Sequence, residues 1–370
     1  MTDTKRIILI KRMMVFAAML FLFNYMDFGG MKKYAIAIIL SVIFGFMGRK
    51  NAWEADTFLV IALPAGIYVL LGSLSGMLHG TYQIVTVKLI LYSILPLLLA
   101  FACYVFSGKD MHWNVDAQFL SSCIIYGIPN YVFFSYGDMW ESTFAFAFGV
   151  YAIYYAYRKR MISMGLALAL CYFAGKRIAL LGVAAVLLVM AITWFFRNNK
   201  KLIFTIWGIA IAAIYGYLYL IYSGILEAFC WGANINTNGR VTMYTRMAEE
   251  AEFSLFYFGK GLGIVETLLE KWNITTYTNL HSDILKFYIE MGFLGLLIYL
   301  LSYCVLFWFT EKNYDNSKMC FLFGMSLYSL LLFVTDNVSI YIMYLFPVYS
   351  TFFAVLSSGR KCNETKENLC

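Results

Sequence analysis

Long apolar runs alternate with short polar turns along this chain, and one polar stretch breaks the rhythm. Apolar segments occupy 13–27, 34–48, 57–75, 86–106, 118–135, 139–157, 161–175, 178–196 and 202–223, and after a gap 283–309, 319–335 and 338–357. A helix needs about 17–25 apolar residues to cross ~30 Å of hydrocarbon, so the pattern predicts about twelve transmembrane helices, several of them short. The runs are continuous and do not alternate every second residue, which excludes a membrane β-barrel. The gap, roughly 224–283, predicts one large loop outside the bilayer.

The stretch 161–196 needs dividing. As a single helix it would be roughly 52 Å long at ~1.5 Å per residue, too long for a bilayer. A turn at Gly175-Lys176-Arg177 splits it into two spans. The first is only about 22 Å long, so this basic turn is expected below the outer surface, lining a cavity.

Basic residues set the orientation. With the N-terminus in the cytoplasm, alternate turns carry Arg49-Lys50, Lys109, Arg158-Lys159-Arg160, Arg197/Lys200/Lys201, Lys312/Lys318 and Arg360-Lys361. Together with Lys5, Arg6, Lys11, Arg12 and Lys366 this puts about eighteen of the 28 basic residues inside, as the positive-inside rule expects. Both termini are then cytoplasmic, and the 224–283 loop and the 175–177 turn face outward together. The basic start before Met13 resembles a signal peptide, but no small-residue cleavage site follows. An uncleaved first helix is the expectation.

Composition agrees: 62% of residues are apolar, 13% are charged, and mean hydropathy is +0.73. This is the profile of an all-α polytopic membrane protein, read here as one integral domain over 1–370 with the loop inserted in it. The net charge of +7 follows from the cytoplasmic turns. No basic patch interleaved with aromatics points to nucleic acid. The eight cysteines lack zinc-ligand spacing, and Cys230 is alone in the loop, so they read as packing residues and no metal site is expected.

Within the loop, Arg240 to about Phe258 reads as an amphipathic helix, with Val241, Tyr244, Met247 and Ala248 on one face and Asn238 as its cap. Gly259-Lys260-Gly261-Leu262-Gly263 lacks the spacing of a nucleotide loop and reads as a close-packed turn. His281 falls at the first turn of the next helix, with Asn279 or Ser282 to cap it. A helix N-terminus favours a neutral, proton-accepting imidazole and also favours an anion. The same histidine is equally compatible with a plain hydrogen-bonded interfacial role. Arg177, Arg240 and Arg246 are outward guanidinium groups suited to phosphate oxygens. Arg246 has the alternative of pairing with Glu249 or Glu250 on its own helix. Asp336 faces the same side, and Glu290, deep in its helix, is expected to pair with Lys286 or a neighbouring basic group.

These pieces fall in a known order. The segment Gly175-Lys176-Arg177-Ile178-Ala179-Leu180-Leu181-Gly182 resembles the Ser-Arg-Gly-x-Leu-Leu-Gly segment of the O-antigen polymerase and O-antigen ligase superfamily. Gly239-Arg240 followed by Phe258 to Gly263 resembles its large outer loop. His281-Ser282 through Glu290-Met291-Gly292-Phe293-Leu294-Gly295 is similar to its His-Asn-x-x-Leu…Glu-x-Gly-x-x-Gly signature. Lys176 stands where that family usually has serine, and Ser282 where it has asparagine. The resemblance covers about 165–300.

It implies a GT-C-like fold and a metal-independent, cofactor-free glycosyltransferase at the outer face of a bacterial cytoplasmic membrane. The donor would be an undecaprenyl-diphosphate-linked oligosaccharide, polymerised into O-antigen or capsular-type polysaccharide. Membrane lipids and a chain-length regulator are the implied partners. His281 would be the general base, Arg177 and Arg240 would grip the diphosphate, and Lys176, Arg246 and Asp336 would assist binding. The nearest alternative is a ligase that transfers finished glycan to lipid A-core. An alternative of another class is a non-enzymatic flippase for the lipid-linked sugar, for which the chain lacks an internal repeat.

Overall fold

A computed structural model describes residues 3–26, 32–49, 54–81, 83–132, 142–196, 200–272, 280–357 and 359–360. Asn279, Lys50, Arg197, Lys361 and Lys366 lie outside these residues, as do parts of the apolar ranges at 27 and around 133–141. The described residues form fifteen α-helices: α1 (Asp3–Met26), α2 (Lys32–Gly48), α3 (Ala55–His79), α4 (Ile84–Ser107), α5 (Met111–Val132), α6 (Phe144–Tyr157), α7 (Met161–Phe173), α8 (Arg177–Phe195), α9 (Lys200–Tyr222), α10 (Ile225–Gly232), α11 (Arg240–Ala248), α12 (Ile264–Lys271), α13 (Asp283–Asn313), α14 (Asn316–Thr335) and α15 (Ile342–Leu356).

Seven of them, α1, α3, α4, α8, α9, α13 and α14, are long and apolar enough to cross a membrane, and α2, α6, α7 and α15 are shorter apolar helices. Their outer faces explain why water is the wrong solvent. Leu188 on α8 and Ile209 on α9 are each 62% exposed, as is much of the apolar surface of α1, α2 and α3. Contiguous apolar faces of this extent require lipid around them. The interior is built from α14, which is buried along most of its length, with α6, α13 and α15 beside it.

The turns sort by charge. At one end Arg360 pairs with Glu54 and Asp56, Arg160 with Asp116, Lys200 with Glu311 and Arg12 with Asp110. These pairs are partly solvated and add little stability individually. At the other end lie the 175–177 turn, α10 to α12 and the α14–α15 junction. The break at 174–176 is real: Gly175 takes φ +75°, Lys176 precedes α8, and the Ala174 carbonyl accepts the Ser142 N–H at 3.0 Å. α6 has 14 residues and α7 has 13. At ~1.5 Å per residue both are roughly 20 Å long, about 10 Å short of the hydrocarbon thickness. Both are therefore much shorter than the long helices around them.

The polar loop differs from expectation in three ways. Its described residues hold three short helices, not one. Its amphipathic helix, α11, spans only Arg240–Ala248, although the predicted face of Val241, Tyr244, Met247 and Ala248 is buried. Three glutamates follow at 249, 250 and 252, where the negative end of the helix dipole disfavours them. Tyr288 then captures the next turn, its hydroxyl donating to the Glu252 carbonyl at 2.7 Å and accepting from the Ser254 N–H at 3.2 Å. The residue capping α11 is Gly239 at φ +76°, not Asn238.

Candidate active site

An open cavity of about 650 Å³ lies between the α7–α8 turn and the polar loop. Lys176 and Arg177 line one wall. Arg240, Val241 and Tyr244 of α11 line another, with Asn236 to Asn238 above them and Thr335-Asp336 at the end of α14. Arg177 and Arg240 are each the first residue of their helix. Two helix N-termini, each the positive end of a dipole, thus converge on one space, with the Arg240 N–H itself taken by the Thr237 carbonyl at 3.1 Å. Among the described residues neither guanidinium takes part in an ion pair.

Asp336 organises the opposite side. Its carboxylate is almost fully buried, with Oδ1 3.4 Å from His281 Nδ1 and Oδ2 3.6 Å from Lys176 Nζ. Oδ1 also accepts the Asn337 N–H at 2.9 Å. Burial is the largest single influence and would raise the carboxyl's pKa. The His281 hydrogen bond, the Lys176 ammonium and the Asn337 N–H together outweigh it and hold Asp336 below the ordinary carboxylate value.

His281 is not in the first turn of α13 but one residue before its cap. Ser282 is the cap, its hydroxyl accepting the Leu285 N–H at 3.4 Å. His281 itself sits at φ +55°, a left-handed conformation that costs a side-chain-bearing residue ~1–2 kcal/mol. Two bonds hold it there. Tyr244 donates its hydroxyl to the His281 carbonyl at 2.7 Å, and the N–H of Asp283, two residues on, donates to the Asp336 carbonyl at 3.2 Å. Asp283 also clamps the α14–α15 junction, its carboxylate accepting the Ser339 N–H at 2.7 Å and the Ser339 hydroxyl at 2.6 Å. A carboxylate only accepts, so in a neutral imidazole the contact with Asp336 calls for the proton on Nδ1, which leaves the Nε2 lone pair free.

Four of the six residues singled out in the sequence, Lys176, Arg177, Arg240 and Asp336, therefore share one cavity wall system, and His281 joins them through Asp336. Arg246 does not. Its guanidinium stacks 4.4 Å above the Trp272 ring, while Glu250 pairs with Lys260 at 3.4 Å. Tyr244 and the clamp on Ser339 escape sequence reading. A buried tyrosine on an amphipathic face looks like core, and the Asp283–Ser339 contact spans 56 positions.

The glycine segment is structural. Lys260 and Gly261 donate their N–H groups to the Ile289 and Glu290 carbonyls at 2.8 and 3.0 Å, and Leu262 donates to Gly72 of α3 at 3.1 Å. This contact is possible because α13 breaks at Gly292 (φ +77°), where an added Cβ would collide with the Tyr257 carbonyl. Glu290 accepts from Tyr68 Oη at 2.7 Å and from the Gly263 N–H at 2.8 Å. Lys286 is 4.0 Å from Glu290 and is bonded more closely to Glu266. Among the described residues no group of three or more His, Cys, Asp or Glu side chains gathers as a metal site would.

The architecture defines a multi-pass helical membrane protein with a cationic cavity at one end and an imidazole–carboxylate pair beside it. Residues 162–300 match the family model for Wzy_C, O-antigen ligase. Over this segment, 139 of the 370 residues, the chain is similar to the O-antigen ligase and polymerase superfamily, whose members are glycosyltransferase-like enzymes. The match takes in the 174–176 turn, α8 to α12 and α13 through its break. No individual curated protein matches the chain.

Proposed function

We propose that the protein polymerises lipid-diphosphate-linked oligosaccharide repeat units at the outer face of a bacterial cytoplasmic membrane, with about twelve helices crossing that membrane. The observation that carries this reading is the convergence of two arginine-headed helix N-termini on a cavity beside His281–Asp336. Such a cavity suits a diphosphate that gains charge as it leaves.

The donor's diphosphate lies between Arg177 and Arg240, its polyprenyl chain running into the lipid beside the short α6–α7 pair. The terminal sugar hydroxyl of the acceptor attacks the donor's anomeric carbon. The bond from that carbon to the phosphate oxygen breaks, the electron pair leaving with the lipid diphosphate. The hydroxyl proton passes to Nε2 of His281, and Asp336 stabilises the imidazolium that forms. A single displacement of this kind inverts the anomeric centre. Lys176, held by Asp336, adds positive charge to the wall without being the primary grip.

The family description as an O-antigen ligase favours a second reading, transfer of the finished glycan to lipid A-core. The two differ only in acceptor. Glycan length in a deletion strain separates them. Loss of a polymerase leaves single repeat units on the lipid carrier, the result expected here. Long lipid-linked chains left unattached would identify a ligase instead.

A further inference from the structure

A second hollow, of about 380 Å³, adjoins the first and shares Asn236, Thr237 and Val241 with it. Its volume is within the ~300–1,000 Å³ range of small-ligand sites. One wall is α10, an eight-residue helix with no buried residue. A helix turns ~100° per residue, so Ile225 and Phe229 form one stripe of α10 while Glu227 and Trp231 stand about 200° away, on nearly the opposite face. The first stripe is the one suited to a membrane surface. The second opens into the hollow, which Glu227 and Trp231 line together with Asn234 and Thr242. Trp231 is 72% exposed, and among the described residues no hydrogen bond or ion pair ties down the side chains of Glu227, Asn234 or Thr242.

An indole face ringed by a carboxylate, an amide and a hydroxyl has a definite chemical complement. A pyranose ring carries C–H bonds on one face, apolar and slightly positive, which match the negative face of an aromatic ring. Its rim of hydroxyls both donates and accepts, which matches Glu227, Asn234 and Thr242. A flat hydrophobic ligand would leave the polar rim unpaired, and an anion would meet Glu227. We propose that this hollow is a saccharide subsite that holds a sugar ring of the glycan next to the reacting unit, with Trp231 as its stacking platform. It rests on the polymerase reading for which glycan arrives there, but sugar binding itself does not require that reading. Because the hollow shares Asn236, Thr237 and Val241 with the cationic cavity, a glycan bound along it delivers its reducing end towards Arg240.

The test uses the full-length protein in lipid nanodiscs and a delipidated repeat-unit oligosaccharide released from the host's own polysaccharide. Tryptophan fluorescence of the wild type should shift saturably on titration with that oligosaccharide. Trp231→Ala should abolish the shift, and Trp231→Phe should retain binding, weakened less than tenfold, as measured by calorimetry. In the elongation assay Trp231→Ala should raise KM for the lipid-linked unit about tenfold with kcat within twofold, and shorten the product ladder. Unchanged oligosaccharide affinity in Trp231→Ala overturns the subsite. So does quenching of Trp231 by brominated lipid without protection by sugar, since that places the indole in the bilayer. Oligosaccharide binding that depends on Trp231 in a protein that elongates nothing would leave the subsite standing and remove the polymerase reading.

Discussion

Replacing Asp336 with asparagine probes the pair on which the chemistry rests. The substitution keeps the side-chain volume and the acceptor for the Asn337 N–H, but removes the charge facing His281 Nδ1 at 3.4 Å and Lys176 Nζ at 3.6 Å. Two losses follow. The imidazole is no longer held with its proton on Nδ1, and the imidazolium formed in the transition state loses its counter-charge. General-base catalysis contributes ~10²–10⁴-fold, and loss of a tightly bonded carboxylate partner costs about 10⁴-fold. Here the contact is long for a charge-assisted bond, so the lower end applies and kcat should fall about 10²-fold, or ~2.7 kcal/mol. Lys176 is left mostly buried without a counter-ion, which should cost roughly 1–3 kcal/mol of stability. The assay is elongation of a lipid-linked repeat unit by purified protein, read as kcat and KM for Asp336→Asn, His281→Ala and the double variant. If Asp336 acts through His281, the double variant is no slower than His281→Ala alone. Multiplying losses in the double variant, or a single Asp336→Asn with more than half of wild-type kcat at wild-type stability, would refute the reasoning.

Arg177→Ala and Arg240→Ala should each lower kcat about 10²–10³-fold, and lysine at either position should restore only part of it, because a planar fork grips a diphosphate in a way a point charge does not; steady-state kinetics on the purified variants checks both. Gly292→Ala should lower the melting temperature in detergent and destabilise the fold by about 1–3 kcal/mol, since its φ of +77° and the Tyr257 carbonyl both exclude a Cβ. The pH response has a definite sign. Asp336 has a depressed pKa in the folded protein, so its stabilising contribution is present above the ordinary carboxylate pKa of about 3.9 and is lost as pH falls through its lower folded value. It stays ionised across the neutral range. The melting temperature of the wild type against Asp336→Asn, followed from neutral pH down through the carboxylate range, checks that sign.

Much of this was legible in the sequence because hydrocarbon leaves a chain few options. Within the described residues the apolar ranges fall largely on helices, and the break before Arg177 follows from length and from the basic residues after 195. The interior of the polar loop was not legible. α10 and α12 are each eight residues long, too short to announce themselves by periodicity, and α11 stops early because Tyr288 takes over its backbone bonds. The site was legible as a set of residues but not as a geometry. Asp336 reaches His281 across 55 positions, and only packing shows that it faces the imidazole and Lys176 at once. Arg246 looked equivalent to Arg240 by charge and side. Its ring partner, Trp272, lies 26 positions on, and no local spacing rule brings the two together. The positive φ at His281 is also invisible in sequence, since glycine, the residue that marks such a conformation, does not stand there.

The central claim is tested most directly by giving the purified protein, in nanodiscs, a single substrate: the lipid-diphosphate-linked repeat unit, with no lipid A-core present. The account predicts a ladder of lipid-linked products growing by one repeat unit per step, with one lipid diphosphate released for each bond formed, and no ladder from His281→Ala. Product that appears only when lipid A-core is added, or movement of the lipid-linked unit across the bilayer without elongation, would contradict it.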